Sequence, residues 1–431
     1  MNRYVIHCGT LIDGTGAPPV KNARLIVEND KIARIEKEGG NGIDEFSGDV
    51  DARTKTVMPG LIDSHKHIFN NGGPTISLLL STVKRNAKDT IMGGVTSCLD
   101  LGSASTIRFL QKLPILQPRI FYAISILTCK GGYPAEYFPK LFYLVGAGKE
   151  VATKEEIRKA VRKLVKRGVS AIKTVNVSRT FTGSACPTWT DTQLTTLTDA
   201  AHSHGLKVCS HITYPEDYAQ AIRCGVDSLH HAAFEAMKEE DLDAMVEKGI
   251  TFVPTLSLFD LFVRGFEERW CVNPAFNPSI HKSISKAIRE FTENWHNTPD
   301  DKVVEGTFIK IPKGELKKAA AMQIKNLKAF VKKGGVVAMG TDASLGFSFH
   351  TTPVRELELM EACGMSRMNV IKASTLTAAS VFGKEHEIGS LEPGKYADIL
   401  VINGDPLSNI SDIKKIETVI KGGNIVKDAT Q

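Results

Sequence analysis

The chain has 431 residues and a net charge of +6, with 42% apolar residues, as is ordinary for a globular protein. The modest, spread-out charge speaks against nucleic-acid binding, and the lack of a run of about 18 apolar residues speaks against a membrane span. Eight scattered cysteines, none in a C-x-x-C pair, read as reduced thiols rather than a disulfide scaffold.

The first residues, Met1-Asn2-Arg3-Tyr4, lead into strand-like sequence rather than an apolar signal core, so a cytoplasmic protein is expected. Residues 1–56 read as short strands and turns: Tyr4 to His7, a turn at Asp13-Gly14, Ala23 to Glu28 and Lys31 to Ile35. So few strands bury little core alone. The same pattern returns at the far end. The turn Gly389-Ser390-Leu391-Glu392-Pro393-Gly394 precedes strand-like Ala397 to Ile402, Thr418 to Ile420 and Asn424 to Val426. Residues 1–56 and 389–431 are therefore expected to build one composite β-sandwich beside a central domain, 57–388.

In the central domain apolar strands alternate with amphipathic helices, which predicts a parallel α/β fold. Eight strands are predicted: Val57 to His65, Val95 to Leu101, Arg119 to Leu127, Ala171 to Val177, Lys207 to Ile212, Ser228 to His231, Thr251 to Leu256 and Val336 to Asp342. Helices are predicted over Ser77 to Met92, Lys154 to Arg167, Asp191 to His204 and Pro215 to Cys224. Eight such units suggest a TIM barrel, whose active sites sit at the C-terminal strand ends. An open doubly wound sheet is the competing architecture, but no glycine-rich dinucleotide turn follows the first strand. Between the last two strands Phe259 to Pro312 carries Phe262, Phe266, Trp270, Phe276, Phe291, Trp295 and Phe308. This insertion is either a lid over the site or a unit with a core of its own.

The polar residues of interest fall at strand ends. The first strand closes on His65-Lys66-His67, and residues i and i+2 of a strand face one side, so two imidazoles point to one place. Lys173 sits inside the apolar fourth strand, His211 ends the fifth, His230-His231 the sixth and Asp342 the eighth. Each has a plain explanation: a snorkelling lysine, a satisfied core histidine, a helix-capping aspartate. Their convergence on successive strand ends favours a shared metal site, with nitrogen and oxygen ligands that suit zinc, manganese, cobalt or nickel.

These residues, with Gly9-Thr10-Leu11-Ile12-Asp13-Gly14, Pro59-Gly60-Leu61-Ile62-Asp63-Ser64-His65-Lys66-His67, Gly340-Thr341-Asp342-Ala343 and Gly389 to Asp398, resemble the amidohydrolase superfamily. The resemblance spans nearly the whole chain. It is nearest to the imidazolonepropionase-like branch with Xaa-Pro and Xaa-Arg dipeptidases and ochratoxin-hydrolysing amidases. It implies a TIM barrel with a small β-sandwich and two divalent ions, zinc foremost. By this resemblance His65 and His67 bind the more buried ion, and His211 and His231 bind the second. Lys173, carboxylated by CO2, bridges the two, and Asp342 touches a metal and moves the proton. His230 stands where relatives often carry Glu and is expected at the rim near the substrate or behind the ligands, with an exchange of roles with His231 as the other reading.

The implied chemistry is amide hydrolysis of a small N-acyl amino acid, dipeptide-like or aryl-amide substrate by metal-activated hydroxide. A lactone or cyclic-amide hydrolase is the nearest competitor, followed by a mononuclear deaminase. Deaminases place Glu three residues after the fifth-strand histidine and lack the fourth-strand lysine. Here that position is Tyr214, and Lys173 is present. A barrel that keeps the fold without activity is argued against by the complete ligand set. Tyr133, where relatives carry the His of Gly-Gly-His, either donates to a substrate carbonyl or packs on the rim. Tyr214 either touches substrate or packs under a loop, and Arg179 either binds a substrate carboxylate or stays solvated. The partners expected are a small-molecule substrate and further copies of the chain in a homo-oligomer.

Overall fold

The computed structural model describes residues 3–37, 48–70, 80–134, 143–180, 183–269, 282–306, 310–343, 350 and 353–428. The strands of both chain ends meet in one seven-stranded sheet. Its order is Asn424–Asp428, Ile416–Lys421, Ile399–Ile402, Val50–Pro59, Arg3–Leu11, Val20–Glu28 and Lys31–Lys37. Alternating residues of these strands bury Tyr4, Ile6, Leu25, Val27, Val57, Ile399, Val401 and Ile420 in one cluster. The C-terminal part joins through Ile399 opposite Pro59 and Ile402 opposite Thr56. The N-terminal strands thus find their missing neighbours at the other end of the chain.

The first apolar run does not form the single strand Val57 to His65. It makes two strands, Val50–Pro59 in the terminal sheet and Leu61–Lys66 in the central body, parted at Gly60. The chain passes so close to Thr96 that a Cβ on Gly60 would stand 2.1 Å from its Oγ1. An apolar run cannot say which of two sheets it serves, and the packing decides.

The central body holds two parallel sheets. One comprises Leu61–Lys66, Val95–Asp100 and Arg119–Tyr122. The other runs in the order Thr251–Val253, Ser228–His230, Lys207–His211, Ala171–Val175, Ile126–Cys129 and Gly148–Val151. The expected third strand is divided near Ile124, whose φ is 63°, and the strand Gly148–Val151 was not anticipated. The eighth expected strand makes single bridges, Val337 to Phe252 and Ala343 to Lys66. Here again a glycine permits close approach: a Cβ on Gly340 would stand 2.6 Å from Val253 and 2.8 Å from the Cβ of His65.

Helices connect the strands. Lys154–Val165 begins with a capping box between Thr153 and Glu156, and Asp191–His202 with one between Thr190 and Gln193. The helix expected from Ser77 is seen over Leu80–Met92, and residues 77–79 lie outside the described residues. In the insertion Phe262, Phe266, Phe291 and Trp295 are buried together with Ile288, Val304 and Ile311. They form a core of the insertion's own; Trp270, Phe276 and Phe308 lie outside the described residues. Cys98, Cys209, Cys224 and Cys363 are buried thiols. Among the described residues no helix is long and apolar enough to cross a membrane.

Candidate metal centre

The six expected ligands come together. His65, His67, Lys173, His211, His231 and Asp342 line one cavity of about 50 Å³, with Tyr133, Asn70, Gly102, Ile126, Pro134 and Val175. The parallel register explains the convergence. Lys173 lies beside Cys209, His211 beside Val175 and His230, and Asp342 immediately precedes Ala343, which bridges to Lys66 of Leu61–Lys66. The Asp342 N–H donates to His65 O at 2.8 Å.

His65 Nε2 and His67 Nε2 lie 3.4 and 3.1 Å from Asp342 Oδ1. The candidate ligand atoms of these three residues all fall within 4.8 Å of one another. Ligands bound to zinc at about 2.0–2.1 Å in tetrahedral array stand roughly 3.3 Å apart, so the spacing fits one ion. Two further observations agree with a metal site. Among the described residues, Lys173 Nζ and His231 Nε2 are buried without a hydrogen-bond partner, a costly state that a cation or a carboxylated lysine would relieve.

The remaining ring nitrogens are held from behind. His67 Nδ1 donates to Gly102 O at 3.1 Å, His65 Nδ1 meets His230 Nδ1 at 3.0 Å, and His231 Nδ1 meets Thr255 Oγ1 at 2.8 Å. Each contact occupies Nδ1 and turns Nε2 to the cavity, as outer partners of metal-binding imidazoles do. His231 and Asp342 also carry left-handed backbone, with φ of 73° and 54°. Such strain costs about 1–3 kcal/mol per residue and gathers at functional sites.

The electrostatics favour neutral imidazoles at His65, His211 and His231, the form that ligates a metal. Burial holds His65 and His211 well below the usual histidine range, helped by the Lys173 charge. Burial does the same to His231, with His211 and Lys173 adding to it. For His67 burial pulls down, but the bond to Asp342 and the charges of Asp342 and Asp100 outweigh it and its pKa is raised. Burial lowers the Lys173 ammonium to about 8.

Of the expected substrate contacts, Tyr133 lies at the cavity wall, stacked on His211 with ring centroids 5.0 Å apart. The other three have different partners. Tyr214 donates its hydroxyl to Thr180 O at 3.0 Å, and its ring lies 4.0 Å beneath the Arg179 guanidinium. Arg179 pairs with Glu216 and Glu235 at 3.1 and 2.8 Å. His230 is fully buried between His65 and Ser228 and does not line the cavity. A loop arginine and a strand-end tyrosine gave no sign of these local partners in the sequence.

Several supporting residues escaped the sequence reading. Asp63 accepts from Lys66 Nζ, Thr341 Oγ1 and the Thr341 N–H, and so ties the first strand to the eighth. Asp100 accepts from the N–H of Ile68 and Gly102 and from Ser103, fixing the loop behind His67. An aspartate inside the first apolar strand and another ending the adjacent one were the available signal.

Residues 56–426 match the family model described as the amidohydrolase family. The chain is 24% identical to the ochratoxinase of Aspergillus niger over 98% of this chain and 86% of that protein. It is 22% identical to the imidazolonepropionase of Alkaliphilus oremlandii over 94% and 90%. A solved Xaa-Pro dipeptidase with methionine bound in its active site superimposes with a TM-score of 0.78 at 24% identity, over 99% of this chain and 100% of that one. At such identity the structural likeness shows a shared fold.

Proposed function

The chain belongs to the amidohydrolase family, and on that premise we propose that this hydrolase uses two divalent ions to cleave an amide C–N bond. Its substrate is a small N-acyl amino acid, dipeptide-like or aryl-amide molecule. The observation that carries this reading is the single cavity lined by six residues from five of the expected strands, with Lys173 Nζ and His231 Nε2 unpartnered among the described residues. We read the two parallel sheets as parts of one closed (β/α)8 barrel over 57–388, with the composite β-sandwich of 1–56 and 389–431 beside it. The bridges of Val337 and Ala343 to both neighbouring strands support closure.

His65, His67 and Asp342 would hold one ion and His211 and His231 the other. Lys173 would bridge them after its amine bonds CO2 and loses a proton to give a carbamate. When bound, the ions bring a water toward ionisation near neutral pH and polarise the substrate carbonyl. The rest of the work belongs to the chain. Asp342 accepts the proton of the attacking water and delivers it to the leaving nitrogen. Tyr133 donates its hydroxyl to the carbonyl side of the substrate. Ile126 and Val175 form the apolar wall against which an acyl or side-chain group packs.

The likeness to an ochratoxinase and to an Xaa-Pro dipeptidase supports an amide as the scissile group. Incubation of the zinc-loaded protein with a panel of N-acyl amino acids, dipeptides and lactones, followed by mass spectrometry, should show addition of one water and an amine-bearing product. Ammonia released from an amidine or aminopurine, with every acyl amino acid intact, would support the deaminase instead.

A further inference from the structure

His231 takes its orientation from a residue beyond the following strand. Its Nδ1 lies 2.8 Å from Thr255 Oγ1. Thr255 is fully buried and β-branched, yet its φ is 50°, a left-handed conformation that such residues avoid. It therefore has to be held. The next two backbone N–H groups, of Leu256 and Ser257, both donate to the Glu356 carboxylate, at 2.9 and 2.6 Å. Glu356 has no exposed surface and lies on the helix Val354–Ala362. The residue before it, Arg355, pairs with Asp260 through two bonds of 2.6 and 2.9 Å. Two consecutive residues of one helix thus clamp both ends of the short helix Leu256–Asp260 that follows Thr255.

A carboxylate buried so deeply persists in a core for bonds that an apolar residue cannot make. Both Glu356 oxygens are spent on the turn that carries Thr255. We propose that Glu356 is a positioning residue for His231 and acts through Thr255. The carboxylate fixes the left-handed turn, the turn aims the Thr255 hydroxyl, and the hydroxyl accepts the Nδ1–H so that Nε2 faces the cavity. The inference rests on the reading of His231 as a metal ligand.

Zinc affinity of the full chain, measured by competition with a chelator, tests it. Thr255→Val keeps the shape and removes the hydroxyl, and Glu356→Gln keeps the shape and removes one acceptor. Each should weaken zinc binding by about 10–100-fold, the usual effect of losing an outer partner. Thr255→Ser should bind within a few-fold of wild type. The double variant Thr255→Val with Glu356→Gln should bind no more weakly than the poorer single variant, because both act through one contact. Cooperative melting of each variant checks the fold. If Glu356→Gln fails to fold, Glu356→Asp, which keeps the charge and shortens the reach to the Leu256 and Ser257 N–H groups, takes its place, and wild-type zinc affinity in that variant would overturn the role of Glu356. Wild-type zinc affinity in Thr255→Val, alongside weakened binding in His231→Ala, would overturn the positioning role. So would losses that add in the double variant. Unchanged zinc binding in His231→Ala would instead overturn the metal reading of that histidine, and the positioning role with it.

Discussion

Asp342→Asn should lower the rate of amide hydrolysis by about 100-fold or more, the usual effect of removing a general base. That loss corresponds to about 2.7 kcal/mol of barrier. The substitution preserves the side-chain shape and one oxygen beside His65 and His67, so the protein should still melt cooperatively and keep most of its metal. The backbone supports this separation of roles. Asp342 holds its place through its own N–H on His65 O and the bridge of Ala343 to Lys66, neither of which needs the carboxylate. Rate measurements at saturating substrate, with metal content on the same samples, check it. An Asn variant of wild-type rate would place the base elsewhere. His230 is poorly placed to take over, since it is buried between His65 and Ser228.

Lys173→Ala should lose both bound metal and activity, and small carboxylic acids such as acetate or propionate should partly restore both. The reasoning starts from burial. Lys173 lies on the strand Ala171–Val175 with 2% of its surface exposed, and its Nζ has no hydrogen-bond partner among the described residues. An ammonium there, beside cations, would be repelled and desolvated at once. Were the residue only a tolerated core lysine, removing it should leave metal binding unchanged and should stabilise the fold, because an unpaired buried charge is costly. The carboxylated bridge predicts the opposite. Metal content and rate of the variant, with and without added acid, separate the two.

What the sequence made legible was the part of the site tied to strand periodicity. His65 and His67 are two apart at a strand end, His67 being the first residue past Leu61–Lys66, and Lys173, His211, His231 and Asp342 each end or interrupt an apolar run. Parallel pairing then leaves them little choice of position. The composite terminal sheet was legible for a similar reason, since strands with one bare apolar face at each end of the chain complete each other. The break at Gly60 was not, because the apolar run continues through it and only contact with Thr96 parts the two sheets.

The substrate side was less legible. Arg179 and Tyr214 have partners on neighbouring loops, Glu216, Glu235 and Thr180, that no spacing rule connects. His230 and His231 are adjacent in sequence, yet the left-handed backbone at His231 sends one ring behind His65 and the other to the cavity. Thr255 and Glu356 lie 24 residues from His231 and 100 from Leu256 respectively. Their contribution exists only once the strand Thr251–Val253 and the helix Val354–Ala362 are packed. A glutamate on the apolar side of that helix, among Val354, Leu357 and Met360, was the faint signal.

The central claim is a two-metal hydrolytic centre built from six residues of five expected strands. Elemental analysis of protein purified without chelator, combined with an amide-hydrolysis assay of the same sample before and after metal removal, tests it most directly. The account predicts close to two zinc-class ions per chain and loss of activity on removal, restored by adding zinc back. Full amide hydrolysis by metal-free protein would contradict it.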